Sequence, residues 1–205
     1  EMQLFAKFIS AVFHPFLMPL FTMFLLRHFD VFLSNRIDVF IYLTLIIVII
    51  TFATGVSILL MRRRGLISDL DIRNRSERFT PFIIVLGYYV IAYILTLEFT
   101  GIAIPVLYRS LMLGLVVSIL TGLIVTMRFK LSMHLLAIGG VLASVIYVGI
   151  INETSDVNWI SSIVIASGLL AWSRLELKAH TLKEVYVGFS VGLLCMLSVL
   201  MLQIG

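Results

Sequence analysis

The chain reads as an all-α protein, a polytopic transmembrane helical bundle of six or seven spans, and three observations predict it. Of its 205 residues, 61% are hydrophobic and 13% charged, against about 45–50% and 25% in soluble domains. The apolar residues fall into runs near the length of about 20 that a helix needs to cross a hydrocarbon core. The charged residues lie between those runs, apart from Glu98, Arg109 and Glu184 near span ends. With a mean hydropathy of +1.14, an ordinary soluble fold is excluded.

The spans are expected at 8–26, 39–61, 79–99, 104–127, 131–151, 158–172 and 184–204. The first follows a short start carrying only Lys7 and has no small-residue cleavage site, so it reads as a retained helix. His14, Pro15 and Pro19 mark a kink in it, with His14 expected to stay away from any site. His28 falls in the loop beyond. The second span ends at Arg62, Arg63 and Arg64, an anchor for lipid headgroups. Glu98 and Arg109, near the ends of the third and fourth, read as snorkelling interfacial groups. The sixth span is the shortest. The last carries the single Cys195, read as packing, and one cysteine excludes an intramolecular disulfide. No linker or composition shift divides the chain, so residues 1–205 form one integral membrane domain, with its motifs in 62–204.

With seven spans, the loops 62–78, 128–130 and 173–183 share the side of the N-terminus, because an even number of crossings separates them. That side holds twelve of the fifteen Lys and Arg residues and the other side only Arg27, Arg36 and Arg109. By the positive-inside rule the cation-rich face is cytoplasmic, and a bacterial inner membrane is the expected location. The net charge of +4 does not point to nucleic acid, since the cations sit in short loops between spans. Anionic lipid or phosphate is the expected partner.

The stretch Ser173-Arg174-Leu175-Glu176-Leu177-Lys178-Ala179-His180-Thr181-Leu182-Lys183-Glu184 runs from a polar loop into the last span. His180 and Glu184 stand at i, i+4, which stacks them on one helix face. A carboxylate there takes a hydrogen bond from one imidazole nitrogen and leaves the other basic, as a nucleophile or general base. Arg174 adds a planar donor fork suited to a phosphoryl group. Gly188 and Gly192 continue the face as a small-residue stripe for a neighbouring helix. A second cluster, Lys130-Leu131-Ser132-Met133-His134, opens the fifth span, where free backbone N–H groups favour an anion. The parity of the loops brings it to the face of His180. A third, from Asp69 and Asp71 through Arg73, Arg75 and Arg78 to Pro81, offers arginines for a phosphate or acids for a divalent metal or for internal ion pairs.

The Ser-Arg, five residues, His-Thr and acid pattern, followed by glycines, resembles the third signature of the type 2 phosphatidic acid phosphatase superfamily. Lys130-x-Ser132-x-His134 is similar to its second signature. The resemblance covers roughly residues 128–192. It implies His180 as nucleophile, Glu184 as its orienting acid, and His134 as the acid that protonates the leaving oxygen. It also implies Arg174, Lys130 and Ser132 as phosphate ligands, joined by Arg78 and Arg73, with a phosphohistidine intermediate and neither metal nor cofactor. Glu184 stands where the family usually has Asp, Leu131-Ser132-Met133-His134 where it has Pro-Ser-Gly-His, and its first signature, Lys, six residues and Arg-Pro, is absent. The expected activity is release of phosphate from a phosphorylated lipid or polyprenyl substrate. Two other readings stand beside it. One is a non-catalytic lipid-phosphate binder or transporter that keeps the anion pocket. The other is a UbiA-like prenyltransferase using Asp69 and Asp71 with magnesium.

Overall fold

The computed structural model describes residues 1–69, 72, 74–97, 101–153 and 157–202. Among them the chain is all-helical: α1 Met2–Val12, α2 Met18–Phe29, α3 Val31–Asn35, α4 Ile37–Arg63, α5 Phe79–Leu95, α6 Val106–Thr126, α7 Met133–Ile151, α8 Val157–Glu176 and α9 Leu182–Leu202, with a 3₁₀ turn at Arg75–Glu77. Four of these, α4, α6, α7 and α9, are long and apolar enough to cross a membrane. Large apolar side chains such as Ile49, Phe52, Ile165 and Leu194 project outward from their helices, 60–73% exposed. That outer surface is the kind a hydrocarbon solvent accepts and water does not.

The run 8–26 is two helices rather than one kinked span. α1 ends at Val12 and α2 begins at Met18. Pro15 has no backbone N–H and a fixed φ, and the Phe16 N–H donates to His14 Nδ1 at 3.3 Å in place of a helical carbonyl. Past the break the two pieces pack apart, α1 against α8 and α2 against α7 and α4. The expected sixth span, 158–172, extends as α8 to Glu176. Its last turn contains polar Ser173 and Arg174, which look like loop residues in the sequence but are buried against α1. At the other end of the bundle, Asp30 caps α3 by accepting the Phe32 N–H at 2.9 Å and also accepts the Tyr108 hydroxyl of α6.

α7 is the central helix, contacting α2, α6, α8 and α9 and buried over most of its length. Its tightest seam is with α9. A Cβ on Gly188 would meet the Ser132 backbone at distances down to overlap, one on Gly192 the Leu136 carbonyl, and one on Gly139 the Phe189 carbonyl. Only glycine permits this backbone-to-backbone approach. A Ser132 N–H to Glu184 carbonyl bond of 3.1 Å ties the first turns of the two helices together.

Candidate functional site

His180 occupies a short, doubly fixed corner. α8 ends with Lys178 in the left-handed region at φ 50°, and two bonds close its last turn, Ala179 N–H to Arg174 O at 3.1 Å and Lys178 N–H to Leu175 O at 2.9 Å. This is a Schellman motif with a lysine where glycine is usual. α9 then opens with a capping box: the Glu184 N–H donates to Thr181 Oγ1 at 3.4 Å, and the Thr181 N–H donates to Glu184 Oε2 at 3.3 Å. Between stop and start sits His180, with its Nδ1 2.7 Å from the same Glu184 Oε2. A carboxylate only accepts, so the Nδ1 proton is directed at it and Nε2 keeps its lone pair.

The electrostatics favour that neutral tautomer. Burial first, then the cations Arg174, Lys130 and Arg78, pull the His180 pKa from 6.5 down to about 3. The imidazole therefore stays uncharged and nucleophilic at neutral pH, in a field that attracts anions.

The other expected site residues arrive from three further elements. Arg174, 3% exposed in the last turn of α8, donates through Nη1 to Ser10 Oγ of α1 at 3.2 Å. Ser10 is itself 2.6 Å from Ser173 Oγ, whose hydroxyl donates to the Ala6 carbonyl at 2.6 Å. α1 thus holds the turn that carries Arg174. Arg78, at the start of α5 and also 3% exposed, donates to the Ile72 carbonyl at 2.8 Å and the Leu131 carbonyl at 3.0 Å. It staples the 69–78 loop to the start of the fifth expected span. His134 is buried in the first turn of α7, within electrostatic reach of Arg174, His14 and His180.

These residues face one cavity of about 150 Å³. His14, Arg78, His134, Arg174 and His180 line its polar end, and Met112, Leu115, Ile119, Tyr89 and Met196 are among the apolar side chains that line the rest. The 62–78 and 173–183 loops both supply lining residues, and Lys130 ties the 128–130 loop to Ala179 beside them. Glu184, Lys130 and Ser132 are not in the cavity lining. Lys130 Nζ donates to the Ala179 carbonyl at 2.9 Å and lies 3.9 Å from Glu184 Oε2. Ser132 Oγ is buried with no hydrogen-bond partner. In the acidic loop, Glu77 accepts the Ser68 N–H and hydroxyl and an Asn74 amide N–H. Those bonds, the Ser68 backbone bond foremost, hold its carboxyl below the usual range. Asp71 and Arg73 lie outside the described residues, as does Glu98.

One residue corrects the reading of the sequence. His14, expected to mark only a kink, lines the cavity and meets His134 edge-to-face, the ring centroids 5.5 Å apart at 75°. The available signal was the His-Pro pair at a helix break, and a break leaves side chains pointing where a helix would not. Ser10, one helical turn earlier, carried no signal. Comparison with protein-family models, with curated proteins and with solved structures found no match.

Proposed function

We propose that the protein is a lipid phosphate or diphosphate phosphatase of the type 2 phosphatidic acid phosphatase kind, acting through a phosphohistidine. The observation that carries this reading is a neutral His180, held by Glu184 at 2.7 Å, that shares one cavity with His134 and two buried arginines. In the reaction, His180 Nε2 attacks phosphorus, the bond to the lipid oxygen breaks, and His134 gives that oxygen its proton. Water then attacks the phosphohistidine, losing a proton to His134, and phosphate leaves while His180 is restored. Arg174 and Arg78 offset the charge that gathers on the equatorial oxygens. The apolar walls beyond the polar end accept the first part of a lipid tail, which favours lipid-linked over soluble phosphates.

In the bilayer the bundle crosses six or seven times, α4 to α9 once each with the broken α1–α2 pair beside them. At about 1.5 Å per residue, the 17-residue α5 reaches about 25 Å, enough with interfacial side chains at its ends. The cation count supports a site on the cytoplasmic face, and the membrane we propose is a bacterial inner membrane.

A second reading, a lipid-phosphate binder without turnover, is favoured by the second cluster. Leu131-Ser132-Met133-His134 stands where the family has Pro-Ser-Gly-His, and Ser132 Oγ is buried outside the cavity lining. Phosphate release from a panel of lipid phosphates, in EDTA, separates the two. The phosphatase loses at least about 10³-fold in His180→Ala and at least about 10²-fold in His134→Ala, by the usual scale of nucleophile and general-acid loss. Unchanged release in His180→Ala ends the proposal, and tight vanadate binding without release selects the binder.

A further inference from the structure

The α1–α2 break brings a third histidine to the cavity, and we propose that His14 is a positioning residue for His134. It holds the His134 ring in the orientation from which the leaving oxygen receives its proton. This rests on the phosphatase reading above. Both rings line the cavity and meet edge-to-face, so the plane of one limits the plane of the other. His14 is in turn fixed to its own backbone, because its Nδ1 accepts the Phe16 N–H at 3.3 Å. That bond requires the lone pair on Nδ1 and places the proton on Nε2. The turn that carries it cannot slide into a helix, since Pro15 blocks the helical hydrogen bond there. The same stretch of chain supplies Ser10, the partner of Arg174. One end of α1 therefore orders two of the cavity's polar groups.

The role predicts a dependence on the leaving group. An alkyl alkoxide needs a proton as it departs, whereas nitrophenolate leaves without one. His14→Phe removes the Nδ1 acceptor that ties the ring to the Phe16 N–H, so the ring that meets His134 loses its fixed plane. We expect it to lower kcat for dodecyl phosphate by about 10-fold or more, a fraction of what a general acid supplies. KM should stay within about twofold, and turnover of p-nitrophenyl phosphate within about threefold. Equal losses on both substrates, or none, overturn the role of His14.

Wild type and His180→Ala run alongside. If wild type is active, His180→Ala is dead and His14→Phe matches wild type, only the inference on His14 fails. If wild type releases phosphate from neither substrate, the phosphatase reading fails and this role fails with it. Imidazole ¹⁵N spectra of the detergent-solubilised protein read the geometry without turnover. His14 should show the Nε2–H tautomer, and the His134 resonance should move in His14→Phe. An Nδ1–H tautomer, or an unmoved His134 resonance, refutes the positioning contact.

Discussion

At the scale of the residue, His180 is a buried base kept neutral by its surroundings, and that has a consequence for stability. Its pKa is about 3 in the folded protein against 6.5 in an exposed chain. Between those values the unfolded state binds more protons, so folding stability rises with pH through this window and is lost as pH falls below about 6.5. Thermal unfolding in detergent between pH 7 and pH 4 should show a falling Tm for wild type and a shallower fall for His180→Asn. Parallel curves would mean that His180 is not held neutral. Arg174 makes a second test. Lysine keeps the charge but not the fork that reaches Ser10. Arg174→Lys should cost about 1.5–3 kcal/mol of stability, the range for a hydrogen bond to a charged group, measurable by denaturant unfolding of the solubilised protein. Loss of phosphate release should accompany it.

At the scale of the element, the α7–α9 seam decides whether the two histidines can share a cavity. Gly188 and Gly192 were legible as a small-residue stripe because the four-residue step is a local property of one helix. Their partners, the Ser132 and Leu136 backbones, were not, because which helix fills a stripe is settled by tertiary packing. A methyl at Gly192 would overlap the Leu136 carbonyl, and backbone cannot rotate away. Gly192→Ala should destabilise by roughly 1–3 kcal/mol, as overpacking does. Gly87→Ala, where a Cβ meets nothing within 4 Å, should be neutral or stabilising by about 0.5–1 kcal/mol. Equal effects of the two, by thermal unfolding, would argue against the close seam. The corner before α9 was half legible. The His180 to Glu184 spacing announced a paired imidazole, but the same Glu184 oxygen also completes a capping box with Thr181, and Lys178 takes a left-handed φ that no lysine signals.

At the scale of the whole molecule, the all-helical class followed from hydropathy. The contribution of α1 did not. His14 and His134 are far apart in the chain, and they meet only because the break lets α2 pack on α7 while α1 turns onto α8. Lys130 and Ser132 show the converse. Their residue types fit an anion site, but the Lys130 ammonium donates to the Ala179 carbonyl, and Ser132 Oγ is buried outside the cavity lining. Shared sidedness of the loops is open to test with single cysteines at Arg63, Lys178 and Arg109 in a Cys195→Ser background. A membrane-impermeant thiol reagent should label the first two from one side of sealed vesicles and the third from the other. Labelling of Arg63→Cys and Lys178→Cys from opposite sides would break the bundle topology.

A phosphohistidine at His180 can be trapped as a covalent intermediate. Protein mixed with ³²P-labelled lipid phosphate and quenched within a turnover should carry label that is stable to alkali, lost in acid, and located on the peptide containing His180. His180→Ala should carry none, and His134→Ala should accumulate it where its hydrolysis is slowed. Steady phosphate release with no trapped label, or label that persists in His180→Ala, would contradict a phosphohistidine at His180.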